Sequence, residues 1–382
     1  MAVIIDRAGV DRLIGILFDR GFEVIGPTVS DGAIVYARIA STSDLPVGTT
    51  DRQGPGTYRL EPRDDEALFG YVVGPRSWKQ FLHPPEVPVW IGSVNNGGIE
   101  RSEPPKPPRY AFFAARPCEI AAISVQDRVF LEGPVVDDGY AARRRGLFIV
   151  AVNCTEPAST CFCTSMETGP LAHEGHDLAI TELLQPEHRF IVESATVEGD
   201  SVLADLGGDE AEEEDRLVAL EAVTAAARRM ERTLDTTDLK ELLYANAANP
   251  HWDEVAARCL SCTNCTRVCP TCFCTSVGDE LSLDGTVATR TKRWDSCFSL
   301  DFSYIHGGYV RSTPAARYRQ WLTHKLASWQ DQFGVIGCVG CGRCITWCPV
   351  GIDITAEVRA LRGGDVRLAV ATAGSPQEEA AP

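Results

Sequence analysis

The sequence predicts an α+β fold: an N-terminal α/β domain built on a parallel βαβ unit, followed by a helical domain organised about two cysteine-rich runs. Three observations lead there. An apolar run at Tyr110–Ala115, helical periodicity over 119–130 and a second apolar run at 146–152 follow one another, which is the strand, helix, strand order of a parallel pair. The spacing Cys-x-x-Cys-x-x-Cys-x-x-x-Cys-Pro occurs twice in the C-terminal third. Between those two runs, Thr313, Pro314 and an apolar stripe of Tyr318, Trp321, Leu322, Leu326 and Trp329, ended by Gly334, spell a capped helix.

The other elements follow in order. Val10, Leu13, Ile14, Leu17 and Phe18 fall on one face of an opening helix, with Gly21 as its stop. Strand-like runs at 22–25 and 33–39 precede a Gly/Pro/Asp-rich stretch, read as a surface loop, that leads to apolar segments at 71–73 and 87–91. A hairpin of 177–184 with 188–193 closes the first domain near residue 206. The acidic segment 209–215 opens an Ala-rich helix over 216–232 whose basic residues sit late, as the helix dipole favours, and which reads as a solvated linker. A short helix starts near Asp238 with Glu241 as its capping-box partner. The domains expected are therefore 1–206 (α/β), 207–252 (acidic helical linker), 253–362 (cysteine-run domain) and 363–382, a Gly/Ala/Glu/Pro-rich disordered tail.

Composition narrows the function. With 382 residues, 44% of them hydrophobic, the chain can bury more than one core. Its 53 acidic residues outnumber 36 Lys and Arg, for a net charge of −17 that would repel a phosphate backbone, so no nucleic-acid partner is expected. Asp and Arg interrupt the apolar runs of the first twenty residues, and no later stretch has eighteen uncharged apolar residues. A cytoplasmic protein without a signal peptide or membrane span is expected. In that reducing compartment fifteen cysteines point to metal binding rather than to disulfides.

Cys259, Cys262, Cys265 and Cys269 precede Pro270, and Cys338, Cys341, Cys344 and Cys348 precede Pro349. This is the ligand spacing of bacterial 4Fe-4S ferredoxins, in which the fourth cysteine serves the other cluster. One cluster is therefore assigned to Cys259, Cys262, Cys265 and Cys348, and the other to Cys338, Cys341, Cys344 and Cys269. Zinc, the alternative, prefers separated Cys-x-x-Cys knuckles that give two ligands each. Val268, Ile345 and Trp347 would shield the cubes. The long helical insert between the runs resembles the α-helical ferredoxins, such as the cluster domain of succinate dehydrogenase iron-sulfur subunits.

Cys118 and Cys154 each follow a strand of the βαβ unit, at the edge where open α/β sheets take ligands. With Cys161 and Cys163 they make four thiols, enough for a third 4Fe-4S site; four ordinary buried thiols or a zinc site are the alternatives. Cys272, Cys274 and Cys297 are read as packing or supporting thiols near a cluster. No nucleotide loop, nucleophile elbow or metalloprotease motif is present, so no catalytic residue is assigned. His83, His251, His306 and His324 are read as ordinary core or surface residues. Clusters pass single electrons and nicotinamides pass hydride, so FAD and NAD(P) are expected only on a partner subunit.

Several short motifs carry a family resemblance: Arg116-Pro-Cys-Glu-Ile with Asp127, then Cys154, Cys161-Phe-Cys and Met166-Glu-Thr-Gly-Pro170. Gly74-Pro-Arg-Ser-Trp-Lys79 with His83-Pro-Pro85, both cysteine runs, and Arg317-Tyr-Arg with His324-Lys325 extend it over about residues 58 to 362. The chain resembles the beta subunit of soluble cytoplasmic nickel-iron hydrogenases, or sulfhydrogenases. The resemblance implies a 4Fe-4S relay between a flavin subunit that handles NAD(P)H and the small and large subunits of a nickel-iron hydrogenase. The electron-transfer subunit of anaerobic sulfite reductase is similar over the same motifs, and there electrons end at a sirohaem enzyme. A structural or oxidant-sensing iron-sulfur scaffold is the alternative of a different class. Reversible cluster reduction through the flavin partner separates a relay from a scaffold.

Overall fold

The computed structural model describes residues 1–95, 98–102 and 106–363; the tail expected at 363–382 lies, from 364 on, outside the described residues. An eight-stranded mixed sheet forms the centre of the N-terminal half, in the order Asp209–Glu210, Ala2–Ile5, Arg189–Ser194, Leu178–Leu183, Phe148–Val152, Tyr110–Ala115, Glu23–Ser30, Ala33–Arg38. Tyr110–Ala115 and Phe148–Val152 pair in parallel, with Pro117–Phe130 as the crossover helix. Leu178–Leu183 and Glu23–Ser30 continue the parallel set on either side. The expected hairpin is present as Leu178–Leu183 against Arg189–Ser194.

Strand alternation divides the core between the two faces of this sheet. Phe113, Phe148, Val150 and Val152 pack with Val10, Leu13, Ile14 and Leu17 of the helix Arg7–Asp19 and with Val202 and Leu203 of Val197–Leu206. Phe112, Ile149 and Ala151 pack on the other face with Ile120 and Ile123 of the crossover helix and with Trp78 and Tyr140. The opening helix differs from expectation at one residue: Phe18 is exposed, because the buried stripe ends at Leu17.

Three further readings are revised. The stretch read as a surface loop contains an antiparallel hairpin, Thr49–Gly54 with Thr57–Pro62, whose Gln53 and Tyr58 are buried. Its tip donates from the Gly56 N–H to the Ile345 carbonyl at 3.1 Å, so it is packed against the second cysteine run. The helix Glu213–Arg228 buries Ala219, Val223 and Ala226, so only its outer face is solvated. The helix Leu239–Ala245 forms where expected but without the capping box: Asp238 is left-handed, with φ of 48°, and its side chain makes no cap bond.

The C-terminal half gathers His251–Arg258, Pro314–Thr323 and Ile354–Leu361 around a core that includes Trp252, Tyr318, Trp321, Leu322 and Leu326, while Trp329–Phe333 packs in a neighbouring cluster with Cys118 and Cys341. Thr313 caps Pro314–Thr323 by accepting from the Ala316 N–H at 3.1 Å, and Gly334 ends the segment with φ of 72°. A π-helical turn, His324–Ser328, interrupts it midway. A four-stranded antiparallel sheet, Thr275–Leu281, Val287–Trp294, Glu86–Asn95 and Gly98–Ser102, joins strands from both halves of the sequence. No helix among the described residues is long and apolar enough to cross a membrane.

Candidate iron-sulfur centre

Each cysteine run leaves a short helix and turns back on itself. Cys259 ends His251–Arg258, Cys265 lies in Asn264–Arg267 and Cys344 in Arg343–Thr346. Ser261, Thr263, Gly340 and Gly342 have positive φ between these points, which wraps each run rather than extending it. Cys259, Cys262, Cys265 and Cys348, drawn from both runs, line one pocket, together with Tyr318, Trp321 and Ile352. Cys344 reaches the same wall. Cys262 is exposed, and the other ligand candidates are buried or half-buried. Among the described residues no three His, Cys, Asp or Glu side chains draw together around a single ion; the sulfurs ring a space instead. Backbone N–H groups point at two of them, Ser261 to Cys259 Sγ at 3.4 Å and Ile352 to Cys348 Sγ at 3.3 Å.

The second expected set also converges. Burial pushes Cys344 well up, and charge on Cys338, Cys341 or Cys269 would push it further. Cys338 is pushed up to about 12 by burial, with Lys325 opposing. Cys269 is held well below the usual thiol range by a hydrogen bond with Cys272, and by Lys325, Thr271 and Lys79. Lys325, 2% exposed, donates from Nζ to Cys269 Sγ at 3.2 Å, Thr271 Oγ1 at 3.1 Å and the Gly337 carbonyl at 3.0 Å.

The four N-terminal thiols lie after the carboxyl ends of the parallel strands Tyr110–Ala115 and Phe148–Val152. Cys118, Cys161 and Cys163 share a buried cluster with Cys341 and Val339. Cys118 feels charge on Cys163, Cys341 and Cys154, so this group adjoins the second set. Two hydrogen bonds fix the junction: the Phe162 N–H donates to the Gly340 carbonyl at 2.8 Å, and the Thr168 side-chain hydroxyl Oγ1 donates to the Val339 carbonyl at 2.7 Å. Arg116, 3% exposed, donates to the Phe69 and Tyr71 carbonyls and lies 3.8 Å from Cys154 Sγ.

Of the remaining cysteines, the free thiol Cys272 lies beside Cys269 and Cys274 beside Cys297, the latter neighbour holding Cys274 down at about 7. Among the histidines, His83 is buried, and His251 is buried between Glu357 at 2.7 Å and Glu254 at 2.9 Å. The sequence reading gave no role to Lys79, Arg116, Lys325 or the Glu119–Arg343 pair. Their only signal was a place inside the short motifs or beside a cysteine; nothing in their spacing tells that they fold onto sulfur.

This arrangement suits thiolate-bound cubes: sulfurs of both runs line one pocket, and cations and N–H groups beside the sulfurs offset the negative charge that thiolate ligands bring. A family model described as a 4Fe-4S dicluster domain matches residues 258–352. The chain is 32% identical over 313 residues to sulfhydrogenase 2 subunit beta of Pyrococcus furiosus, which covers 81% of this chain and 90% of that one. No solved structure matches it.

Proposed function

Because the chain belongs to the family of sulfhydrogenase beta subunits and is thus an iron-sulfur electron-transfer subunit, we propose that it is the wire between two partners in the cytoplasm. One partner is a flavin subunit that exchanges hydride with NAD(P)H, and the other is a nickel-iron hydrogenase module of small and large subunits. The reading is that one 4Fe-4S cluster binds to Cys259, Cys262, Cys265 and Cys348, and a second to Cys338, Cys341, Cys344 and Cys269. A third binds to Cys118, Cys154, Cys161 and Cys163. Each bound cluster supplies one-electron transfer.

The observation that carries this reading is the shared cavity, where three cysteines of the first run meet Cys348 of the second. The residues around it have distinct tasks. Tyr318, Trp321 and Ile352 limit water, the N–H groups of Ser261 and Ile352 favour negative sulfur, and exposed Cys262 brings one ligand to the surface, where a partner can approach. Proximity of the second set to both others, with Cys118 sharing a buried cluster with Cys341 and Cys265 within reach of charge on Cys269, supports a continuous path. The hydrogenase destination is favoured over sulfite reductase by the name of the Pyrococcus furiosus relative.

Anaerobic affinity isolation of the full chain from its native cell tests the proposal. A nickel-iron large subunit and a flavin subunit should co-purify, and NAD(P)H should bleach the cluster absorbance of the isolated complex. A sirohaem subunit in their place would overturn the hydrogenase destination, and clusters that NAD(P)H leaves oxidised would overturn the relay.

A further inference from the structure

Lys325 and Lys79 are 2% and 4% exposed, and both sit beside the Cys269 end of the first run. A buried ammonium usually pairs with a carboxylate, since its desolvation is otherwise uncompensated. Among the described residues neither does so. Lys325 Nζ bonds a sulfur, a hydroxyl and a carbonyl, while Lys79 Nζ bonds the Cys272 carbonyl at 3.1 Å and lies 3.9 Å from the Trp294 ring centre. The countercharge that this geometry lacks in carboxylates is available as thiolate.

The backbone places Lys325 for this contact. It lies in the π-helical turn His324–Ser328, an irregularity that shifts the following side chains relative to an α-helix. The Lys325 carbonyl also accepts from the Gly337 N–H at 2.8 Å, which ties the turn to the residue before Cys338. The first cysteine set differs. Its sulfur contacts among the described residues are the N–H groups of Ser261 and Ile352. Arg317, the nearby buried cation, donates to Ser261 Oγ at 3.4 Å and to the carbonyls of Arg311 and Ser312.

Resting on the cluster assignment proposed above, we infer that Lys325 is a positioning residue that raises the reduction potential of the cluster at Cys269, Cys338, Cys341 and Cys344 above that of the cluster at Cys259, Cys262, Cys265 and Cys348. Reduction adds one negative charge to a cube, and a fixed positive charge on a ligand sulfur in a buried site favours the reduced form. Lys79 adds to the same field from farther away. Electrons arriving at exposed Cys262 would then run downhill to the inner cluster.

Potentiometric titration of the anaerobically purified full chain, followed by electron paramagnetic resonance, tests this. In Lys325→Gln one midpoint potential should move to a more negative value while the others stay, with iron content unchanged. Lys325→Arg should hold the shifted potential near wild type, and Lys79→Gln should move the same potential in the same direction by less, which can be read even where Lys325→Gln fails to assemble. Wild-type potentials in Lys325→Gln and Lys79→Gln, at full iron content, would overturn the inference and leave the cluster assignment standing. Wild-type protein without paired cubes would overturn both.

Discussion

Arg343, set between Cys341 and Cys344, forms a 2.5 Å ion pair with Glu119, which follows Cys118; their side chains are 0% and 1% exposed. The pair joins the second cysteine run to the crossover helix Pro117–Phe130 of the N-terminal half. Glu119 also accepts from Tyr36 Oη and from Trp78 Nε1, while Arg343 donates to the Gly74 and Arg76 carbonyls. Replacing one partner leaves the other charge buried, at a cost of about 3–5 kcal/mol. Glu119→Leu should therefore lower the denaturation midpoint strongly, and Glu119→Leu with Arg343→Met should recover part of the loss. A single variant as stable as wild type would contradict the role given to this pair.

Gly340 lies at the junction between the second set and the N-terminal thiols, with φ of 64°. A Cβ there would stand 2.6 Å from Cys163 Cα and N, which are backbone atoms that cannot swing aside. Gly340→Ala should force the loops apart and reduce iron bound per chain. Iron and sulfide assays on the purified variant check this, and unchanged content would mean that the two groups of thiols are not interdependent.

His83 gives a pH dependence whose sign is fixed. Burial, with Lys292 and Lys79 adding to it, holds its imidazole down at about 3, so the native state keeps it neutral. In the unfolded chain it protonates near pH ~6.5. Between those values the unfolded state binds the extra proton, so stability from this source is complete above the unfolded pKa and is lost as pH falls toward the native one. The steep part amounts to about 1.4 kcal/mol per pH unit. Urea midpoints of wild type and His83→Gln over about pH 4 to 8 should show wild type losing more stability toward acid. A pH-independent difference would contradict the buried neutral histidine.

Ligand and supporting cysteines should separate cleanly. Cys265→Ser should remove the spectroscopic signature of one cluster, whereas Cys297→Ser should leave all of them. Cys154→Ala should lower iron from about twelve to about eight atoms per chain. About eight in wild type would remove the third site.

The cysteine runs were legible because ligand spacing along the chain is itself the chemistry, and the βαβ unit because its period changes from strand to helix and back. Phe18 was misread because helical spacing alone does not say where a buried stripe ends. Residues 49–62 were misread because turn-rich composition hid a hairpin whose Gly56 tip meets Ile345. The strand pairing of Val287–Trp294 with Glu86–Asn95 could not be read, since no local signal links segments so far apart. The same holds for Cys118 beside Cys341 and for Lys325 on Cys269, contacts that only the folded chain creates.

The most direct test is Mössbauer and electron paramagnetic resonance spectroscopy of anaerobically isolated wild type beside Cys348→Ser. The account predicts interacting 4Fe-4S cubes in wild type, and in the variant a defect in the cluster served by Cys259, Cys262 and Cys265, which all lie on the other cysteine run. Zinc or no metal in wild type, or spectra that Cys348→Ser leaves unaltered, would contradict it.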